Sequence, residues 1–197
     1  MRRRTLLPLC ALMAVIFSEP IVAQAPLPDC EWCGAMDAPP DAQLSSTMTI
    51  ADKDEPGERI MLRGRVLKPD GKTPAPDVLV YAYHTDATGN YRREGNETGN
   101  AQRHGVLRGW LRTDAEGRYE IQTIKPAGYP DRADPQHIHV TLRARGGSEH
   151  WIDDFWFEGD PRLTKRHRAG VESSSIVRLQ PNGEGVLTAE RDLKLRK

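Results

Sequence analysis

Two histidines lie two residues apart in a stretch where apolar residues alternate with other residues. Residues 137–142 read His-Ile-His-Val-Thr-Leu. Because successive side chains of a β-strand point to opposite faces, Ile138 is expected on one face and both His137 and His139 on the other. Two imidazoles on one face can share a metal ion, but two histidines on a solvated strand face are an equally ordinary arrangement. The motif alone leaves metal binding open.

Spacing does not identify the remaining ligands of such a metal. No cysteine lies near the two histidines, and the nearby carboxylates are Asp134, Asp153, Asp154 and Glu158. A zinc site and an iron(II) site with two histidines and one carboxylate are therefore both open at this point.

The first 25 residues have the pattern of a secretory signal peptide. Arg2–Arg4 precede an apolar run over residues 6–17, and small residues follow at Ala23 and Ala25. The run is shorter than the roughly 20 apolar residues of a membrane span, and no second run follows it. The sequence therefore predicts a signal peptide over residues 1–25, cleaved after Ala23 or Ala25, and export to the periplasm or the cell exterior.

The composition is that of an ordinary globular domain. The chain has 28 Lys+Arg and 28 Asp+Glu, and 38% of its residues are hydrophobic. A zero net charge gives no electrostatic case for nucleic acid or an acidic membrane surface as a partner. The apolar content is sufficient for a core.

A Cys-x-x-Cys motif, Cys30 and Cys33, remains after signal removal. Such a motif can be a redox pair or half of a zinc site, but no βαβ pattern surrounds it and no second cysteine pair completes a zinc cage. We expect a local or intermolecular disulfide, as an oxidising compartment permits.

The rest of the chain divides into an extension and a β-rich domain. Residues 26–58 are rich in Pro, Asp and Ala and predict an irregular extension that wraps the domain or links subunits. Residues 59–197 carry short alternating segments separated by turn signals, which predict an all-β antiparallel sandwich. Two hairpins are expected, one around Pro69-Asp70-Gly71 and one around Asp114-Ala115-Glu116-Gly117. Further strands are expected over residues 137–144, 152–157, 175–179 and 185–195.

A succession of short motifs runs through residues 59–161. The central motifs are Gly128-Tyr129-Pro130 and Pro135-Gln136-His137-Ile138-His139. The others are Val80-Tyr81-Ala82-Tyr83-His84, Thr88-Gly89-Asn90-Tyr91, Arg108-Gly109, Thr113-Asp114-Ala115-Glu116-Gly117-Arg118-Tyr119, Ile124-Lys125-Pro126, Ile152-Asp153-Asp154-Phe155 and Phe157-Glu158-Gly159-Asp160-Pro161. In this order, the motifs resemble the intradiol ring-cleavage dioxygenases, the family of catechol 1,2-dioxygenase and protocatechuate 3,4-dioxygenase. The resemblance does not reach the extension.

The resemblance implies a ligand set and a reaction. Tyr91 and Tyr129 match the family's two tyrosinate ligands, and His137 and His139 match its two histidines, so the implied cofactor is a mononuclear iron(III). Two phenolate oxygens favour iron(III), which in turn offsets the cost of deprotonating tyrosine. The implied substrates are a catechol-like aromatic diol and O2, the implied product is a muconate-type dicarboxylic acid, and Tyr129 would leave the metal and help to accept a proton. The family's dimers and larger assemblies also suggest a homo-oligomer.

One position departs from the family pattern. Well-known members carry arginine three residues before the first histidine, where it stabilises negative charge on the substrate ring, whereas this chain has Asp134. An acid would repel that charge. Arg132 is the nearest candidate for the missing cation, and we assign it a catalytic role on this basis.

Two other function classes compete with this interpretation. A non-catalytic, secreted transthyretin-like or carboxypeptidase-regulatory-like binding module would explain residues 59–84 without iron, but not the two tyrosines and the His-x-His motif. A zinc hydrolase using His137, His139 and a carboxylate would leave both tyrosines unused.

Overall fold

The computed structural model describes residues 27–196, so the predicted signal peptide lies outside the described residues. In chain order the strands are β1 (Thr47–Thr49), β2 (Arg59–Leu67), β3 (Leu79–Tyr83), β4 (Arg108–Arg112), β5 (Arg118–Ile124), β6 (His137–Arg143), β7 (His150–Trp151), β8 (Phe155–Phe157), β9 (Ile176–Val177), β10 (Gln180–Pro181), β11 (Leu187–Glu190) and β12 (Leu193–Lys194). Two short helices, α1 (Ala101–His104) and α2 (Lys165–Ala169), and three single 3-10 turns complete these elements. No helix within residues 27–196 has the length and apolarity that a membrane crossing requires.

The strands form two sheets. The first has the order β1-β5-β2-β11-β10, with β12 also beside β2, and the second has the order β4-β3-β6-β8-β9, with β7 beside β6. The long central pairs, β2 with β5 and β3 with β6, are antiparallel. Several short edge pairs are parallel, including β1 with β5 and β8 with β9. The predicted sandwich is confirmed, with mixed rather than purely antiparallel sheets.

The core lies between the two sheets because each central strand buries alternate side chains. On β2 these are Ile60 and Leu62, and on β6 they are Ile138, Val140 and Leu142, all fully buried in one cluster. The remaining side chains of β6 therefore face away from the core. On this outer face of the second sheet lie both histidines of the His-x-His motif.

Both predicted hairpins are wrong in their pairing. β2 pairs with β5 and not with β3, and β4 pairs with β3 and not with β5. Each predicted turn instead carries the chain from one sheet to the other. Gly117 still has the expected left-handed backbone, at φ 72°, and a Cβ there would lie 2.8 Å from the carbonyl oxygen of Val66. Alternation identifies the buried face of a strand but not its neighbour, and this explains the error.

The extension is less irregular than expected. Its second half contains β1, which pairs with β5, and it buries Met48, Ile50 and Ala51 in the core. Its first half wraps the outer face of the second sheet, where Gly34 packs against the ring of Tyr81. Cys30 and Cys33 form a local disulfide.

Candidate metal centre

Strand β6 places two imidazoles side by side above the outer face of the second sheet. His137 and His139 share this face because Ile138 between them points into the core. Tyr83 of β3 lies opposite His139 in the sheet register, and their rings stack with centroids 4.6 Å apart. Trp156 of β8 lies opposite His137 and stacks on it at 5.4 Å. Each imidazole thus has an aromatic neighbour on the adjacent strand.

Two loops bring tyrosines to the same place. Tyr91 follows β3, and Tyr129 lies between β5 and β6. The loops approach closely at Gly89, whose φ is 87° and where a Cβ would lie 2.4 Å from the carbonyl oxygen of Gly128. A larger residue at Gly89 would therefore separate the loops. The backbone N–H of Ala127 also donates to the carbonyl of Asp86 at 3.1 Å.

The four predicted ligand atoms converge. The hydroxyl of Tyr129 lies 2.8 Å from that of Tyr91, 3.2 Å from Nε2 of His137 and 3.3 Å from Nε2 of His139. The two Nε2 atoms are 3.1 Å apart. Metal–ligand bonds of about 2.0–2.1 Å place neighbouring ligand atoms roughly 3 Å apart. The spacing of Tyr129, His137 and His139 therefore fits one metal ion, and Tyr91 adjoins this group through Tyr129.

Nδ1 of each imidazole has a hydrogen-bond partner that orients the ring. Nδ1 of His137 lies 2.6 Å from the carbonyl oxygen of Pro135, and Nδ1 of His139 lies 3.0 Å from Oδ1 of Asp154. Both partners accept hydrogen bonds, so Nδ1 of each ring donates. Nε2 of each ring is thereby directed at the other imidazole and at the hydroxyl of Tyr129. This orientation suits both imidazoles to bind a metal through Nε2.

The pKa shifts at the site favour neutral side chains in the absence of a metal. Burial raises the pKa of Tyr91 and of Tyr129 above the ordinary value for tyrosine. Burial also lowers the pKa of His137, which favours the neutral, metal-binding imidazole. Both phenols are therefore protonated in the absence of a metal, and a trivalent cation would reverse that preference.

Three of the four nearby carboxylates have partners other than the Nε2 atoms of the two histidines. Asp154 lies close to both histidines but contacts Nδ1 of His139, on the far side of the ring from Nε2. Asp153 accepts a hydrogen bond from the backbone of Glu172, and Glu158 pairs with Arg168 at 2.9 Å. Asp153 and Glu158 are thus engaged elsewhere, whereas Asp154 and the two histidines form a group that could hold a metal ion.

Two residues near Tyr129 bear on the arginine that the family pattern has and this chain lacks. Asp134 stands in its place, and Arg132 is the candidate substitute. Arg132 is exposed, and its guanidinium carbon is 5.1 Å from the centre of the Tyr129 ring. Asp134 is half-buried, and its negative charge is among the influences that raise the pKa of Tyr129. The catalytic role of Arg132 stays a prediction.

Sequence reasoning placed the four ligand candidates but not their surroundings. It left Asp154 as one of several carboxylates, and it assigned Tyr83 to packing without a link to the site. Alternation on β3 and β6 puts Tyr83 and His139 on outward faces, but only the register makes them neighbours.

The comparisons with known proteins agree with the motifs. A family model described as Dioxygenase matches residues 36–186. Protocatechuate 3,4-dioxygenase beta chain of Burkholderia cepacia is 36% identical over 113 residues, covering 54% of this chain and 48% of that protein. Catechol 1,2-dioxygenase 2 of Acinetobacter lwoffii is 32% identical over 130 residues, covering 58% of this chain and 45% of that protein. This chain thus spans about half the length of these curated relatives.

Solved structures show the same fold. The dioxygenase domain of a dioxygenase carbohydrate-binding protein fusion from Streptomyces sp. SirexAA-E superposes with a TM-score of 0.61 at 24% identity, over 75% of this chain and 86% of that chain. Catechol 1,2-dioxygenase from Acinetobacter sp. ADP1 gives 0.62 at 22% identity, over 78% and 57% of the two chains. This chain belongs to the intradiol dioxygenase family, whose members depend in general on iron.

Proposed function

We propose that this protein is an iron(III) intradiol dioxygenase that adds both atoms of O2 to a catechol-like aromatic diol. The observation that carries the proposal is the convergence of the Tyr91 and Tyr129 hydroxyls with the Nε2 atoms of His137 and His139. Bound iron(III) would supply a Lewis acid and a template for the two diol oxygens. Cleavage between the two hydroxyl-bearing carbons gives a muconate-type dicarboxylic acid.

The residues of the chain divide the remaining work. His137 and His139 are held by β6, so they provide the fixed part of the site. Tyr129 lies in a loop, and its hydroxyl contacts the other three donor atoms. This placement suits Tyr129 to accept a proton from the diol at its oxygen while Tyr91 stays in place.

The test is oxygen uptake by iron-loaded protein with a panel of aromatic diols. We expect one O2 consumed per diol, and ¹⁸O from labelled O2 in both new carboxyl groups. Tyr129→Phe should abolish turnover. Tyr81→Phe is the matched control, since it removes the hydroxyl of a buried tyrosine on β3 that contacts His104 and not the four converging atoms. Fully iron-loaded wild type that consumes no O2 with any diol would contradict the proposed activity.

We also propose that the protein is exported. Support comes from the apolar run over residues 6–17 behind three arginines and from the Cys30–Cys33 disulfide, which an oxidising compartment permits. Mass spectrometry of the exported protein should find a chain that begins near Gln24 or Pro26. An intact Met1 would contradict export.

A further inference from the structure

A buried carboxylate lies directly behind one of the two metal-binding imidazoles. Asp154, between β7 and β8, is only 4% exposed. Its Oδ1 accepts hydrogen bonds from Nδ1 of His139 and from Nε1 of Trp151, each at 3.0 Å. Within residues 27–196 it forms no ion pair with lysine or arginine. A buried carboxylate is costly unless positive charge compensates it, and the ring of His139 is its route to such a charge.

The backbone that carries Asp154 is itself locked in place. Arg191, between β11 and β12, is buried, and its Nη1 donates to the carbonyls of Asp153 and Asp154 at 2.8 and 2.9 Å. The hydroxyl of Tyr119 donates to the carbonyl of Arg191 at 2.6 Å. The first sheet thereby holds the segment that places a carboxylate behind a ligand of the second sheet.

The two histidines differ in what holds them. His137 donates to a neutral backbone carbonyl, that of Pro135, whereas His139 donates to a carboxylate. A carboxylate acceptor fixes the tautomer as the carbonyl does, and it also makes the imidazole a stronger donor to a cation.

We propose that Asp154 is the positioning residue for His139, holding its Nε2 towards the iron and strengthening that bond by its negative charge. The assignment rests on the proposed function. It gives Asp154 no contact with the metal or the diol, and it makes His139 the stronger of the two histidine ligands.

The experiment compares iron binding by three variants with the wild type. Asp154→Asn keeps the shape and an acceptor oxygen but removes the charge, and Asp154→Ala removes both. Asp153→Asn is the matched control, because Asp153 is the adjacent acid and its carboxylate contacts the backbone of Glu172 instead. Iron(III) affinity is measured by competition with a chelator, and the visible absorption band is recorded for each protein.

We expect Asp154→Ala to weaken iron binding by about 10–100-fold, as outer-shell substitutions do at other metal sites. Asp154→Asn should cost less affinity and shift the visible band, while Asp153→Asn should change neither. Thermal unfolding of the iron-free proteins separates positioning from folding, since Asp154→Asn should unfold near the wild-type temperature. If Asp154→Ala fails to fold, Asp154→Asn decides alone.

The outcomes separate the two proposals. Wild type that binds iron tightly, with both Asp154 variants unchanged in affinity and spectrum, overturns the role of Asp154 and leaves the proposed function intact. Wild type that binds no iron overturns the proposed function and this assignment with it.

Discussion

Two kinds of histidine lie within or beside the second sheet. His84 contacts the carbonyl of Thr85 at 2.7 Å through Nδ1 and the hydroxyl of Thr123 at 2.6 Å through Nε2. His104 contacts the hydroxyl of Tyr81 and the carbonyl of Glu31, each at 2.7 Å. In these two residues both ring nitrogens have ordinary partners. In the His-x-His pair, one nitrogen of each ring has such a partner and the other faces further donor atoms.

This difference gives a criterion that distinguishes a structural histidine from a metal ligand. Burial does not separate them, since His84, His104 and His137 are all buried. The distinction lies in the second nitrogen. At His137 and His139 this nitrogen faces both the other imidazole and the hydroxyl of Tyr129, so several possible metal ligands meet at one point. At His84 and His104 each nitrogen has a single hydrogen-bond partner.

The largest expected effect comes from replacing one histidine of each kind with alanine. His139→Ala should lose the metal, because it removes one of four ligands and leaves Asp154 without its partner. His84→Ala should keep full iron content and instead lower the free energy of unfolding by roughly 1–3 kcal/mol through lost hydrogen bonds. Metal analysis and thermal unfolding of both variants check this. Iron lost equally from both would remove the distinction.

A second expected effect concerns charge at the site. Asp134→Arg should raise kcat for a simple catechol on the order of 10²-fold, because a cation there would stabilise negative charge on the ring where the acid repels it. Asp131→Arg makes the same charge change on an exposed position of the same loop and should have little effect. Steady-state kinetics of the iron-loaded proteins measures both.

Arg132→Ala completes that test. If Arg132 supplies the missing cation, this variant should lose activity, since its guanidinium lies over the Tyr129 ring. An active Arg132→Ala protein would withdraw the role from Arg132 while leaving the dioxygenase assignment in place.

A third effect is a dependence of stability on pH that originates in the structural histidines. Burial lowers the pKa of His84 and of His104 to about 4, well below the ordinary value near 6.5. Between these values the unfolded chain binds more protons, so stability falls as pH falls, by at most about 1.4 kcal/mol per pH unit for each histidine. The free energy of unfolding, measured by denaturant between pH 7 and pH 4, should fall less steeply with falling pH for His84→Gln than for the wild type. An unchanged pH dependence would contradict this origin.

The smallest effect is expected at the disulfide. Replacing Cys30 and Cys33 with serine opens a loop of four residues, which costs about 2 kcal/mol on entropic grounds. The loop holds the structural His104 through the carbonyl of Glu31, and within residues 27–196 it forms no hydrogen bond with Tyr91, Tyr129, His137 or His139. Thermal unfolding should therefore shift while iron content stays the same. Loss of iron in this variant would contradict this prediction and show that the extension supports the metal centre.

Much of the fold could be predicted from local patterns, and the errors have two causes. Alternation at Ile138 and Val140 identifies β6 and its buried face, because burial repeats every second residue. The partner of a strand depends on contacts between distant segments, so the hairpins assigned to β2 with β3 and to β4 with β5 were wrong. β1 was missed because it has only three residues.

The candidate site divides in the same way. His137 and His139 follow from a local pattern, whereas Tyr91 and Tyr129 lie in loops without periodicity and were reached only through the resemblance of ordered motifs. Nothing in the sequence distinguishes Asp154 from Asp153. Its contact with His139 depends on how Arg191, a residue beyond the family match, holds the backbone.

The most direct test is the visible spectrum and metal content of the purified, iron-loaded protein. Two phenolates bound to iron(III) should give a red to purple protein with one iron per chain. Tyr91→Phe and Tyr129→Phe should each weaken or shift the band, while Tyr81→Phe should leave it unchanged. A colourless protein that takes up no iron, or one that carries zinc at full occupancy, would contradict the four-residue iron(III) site.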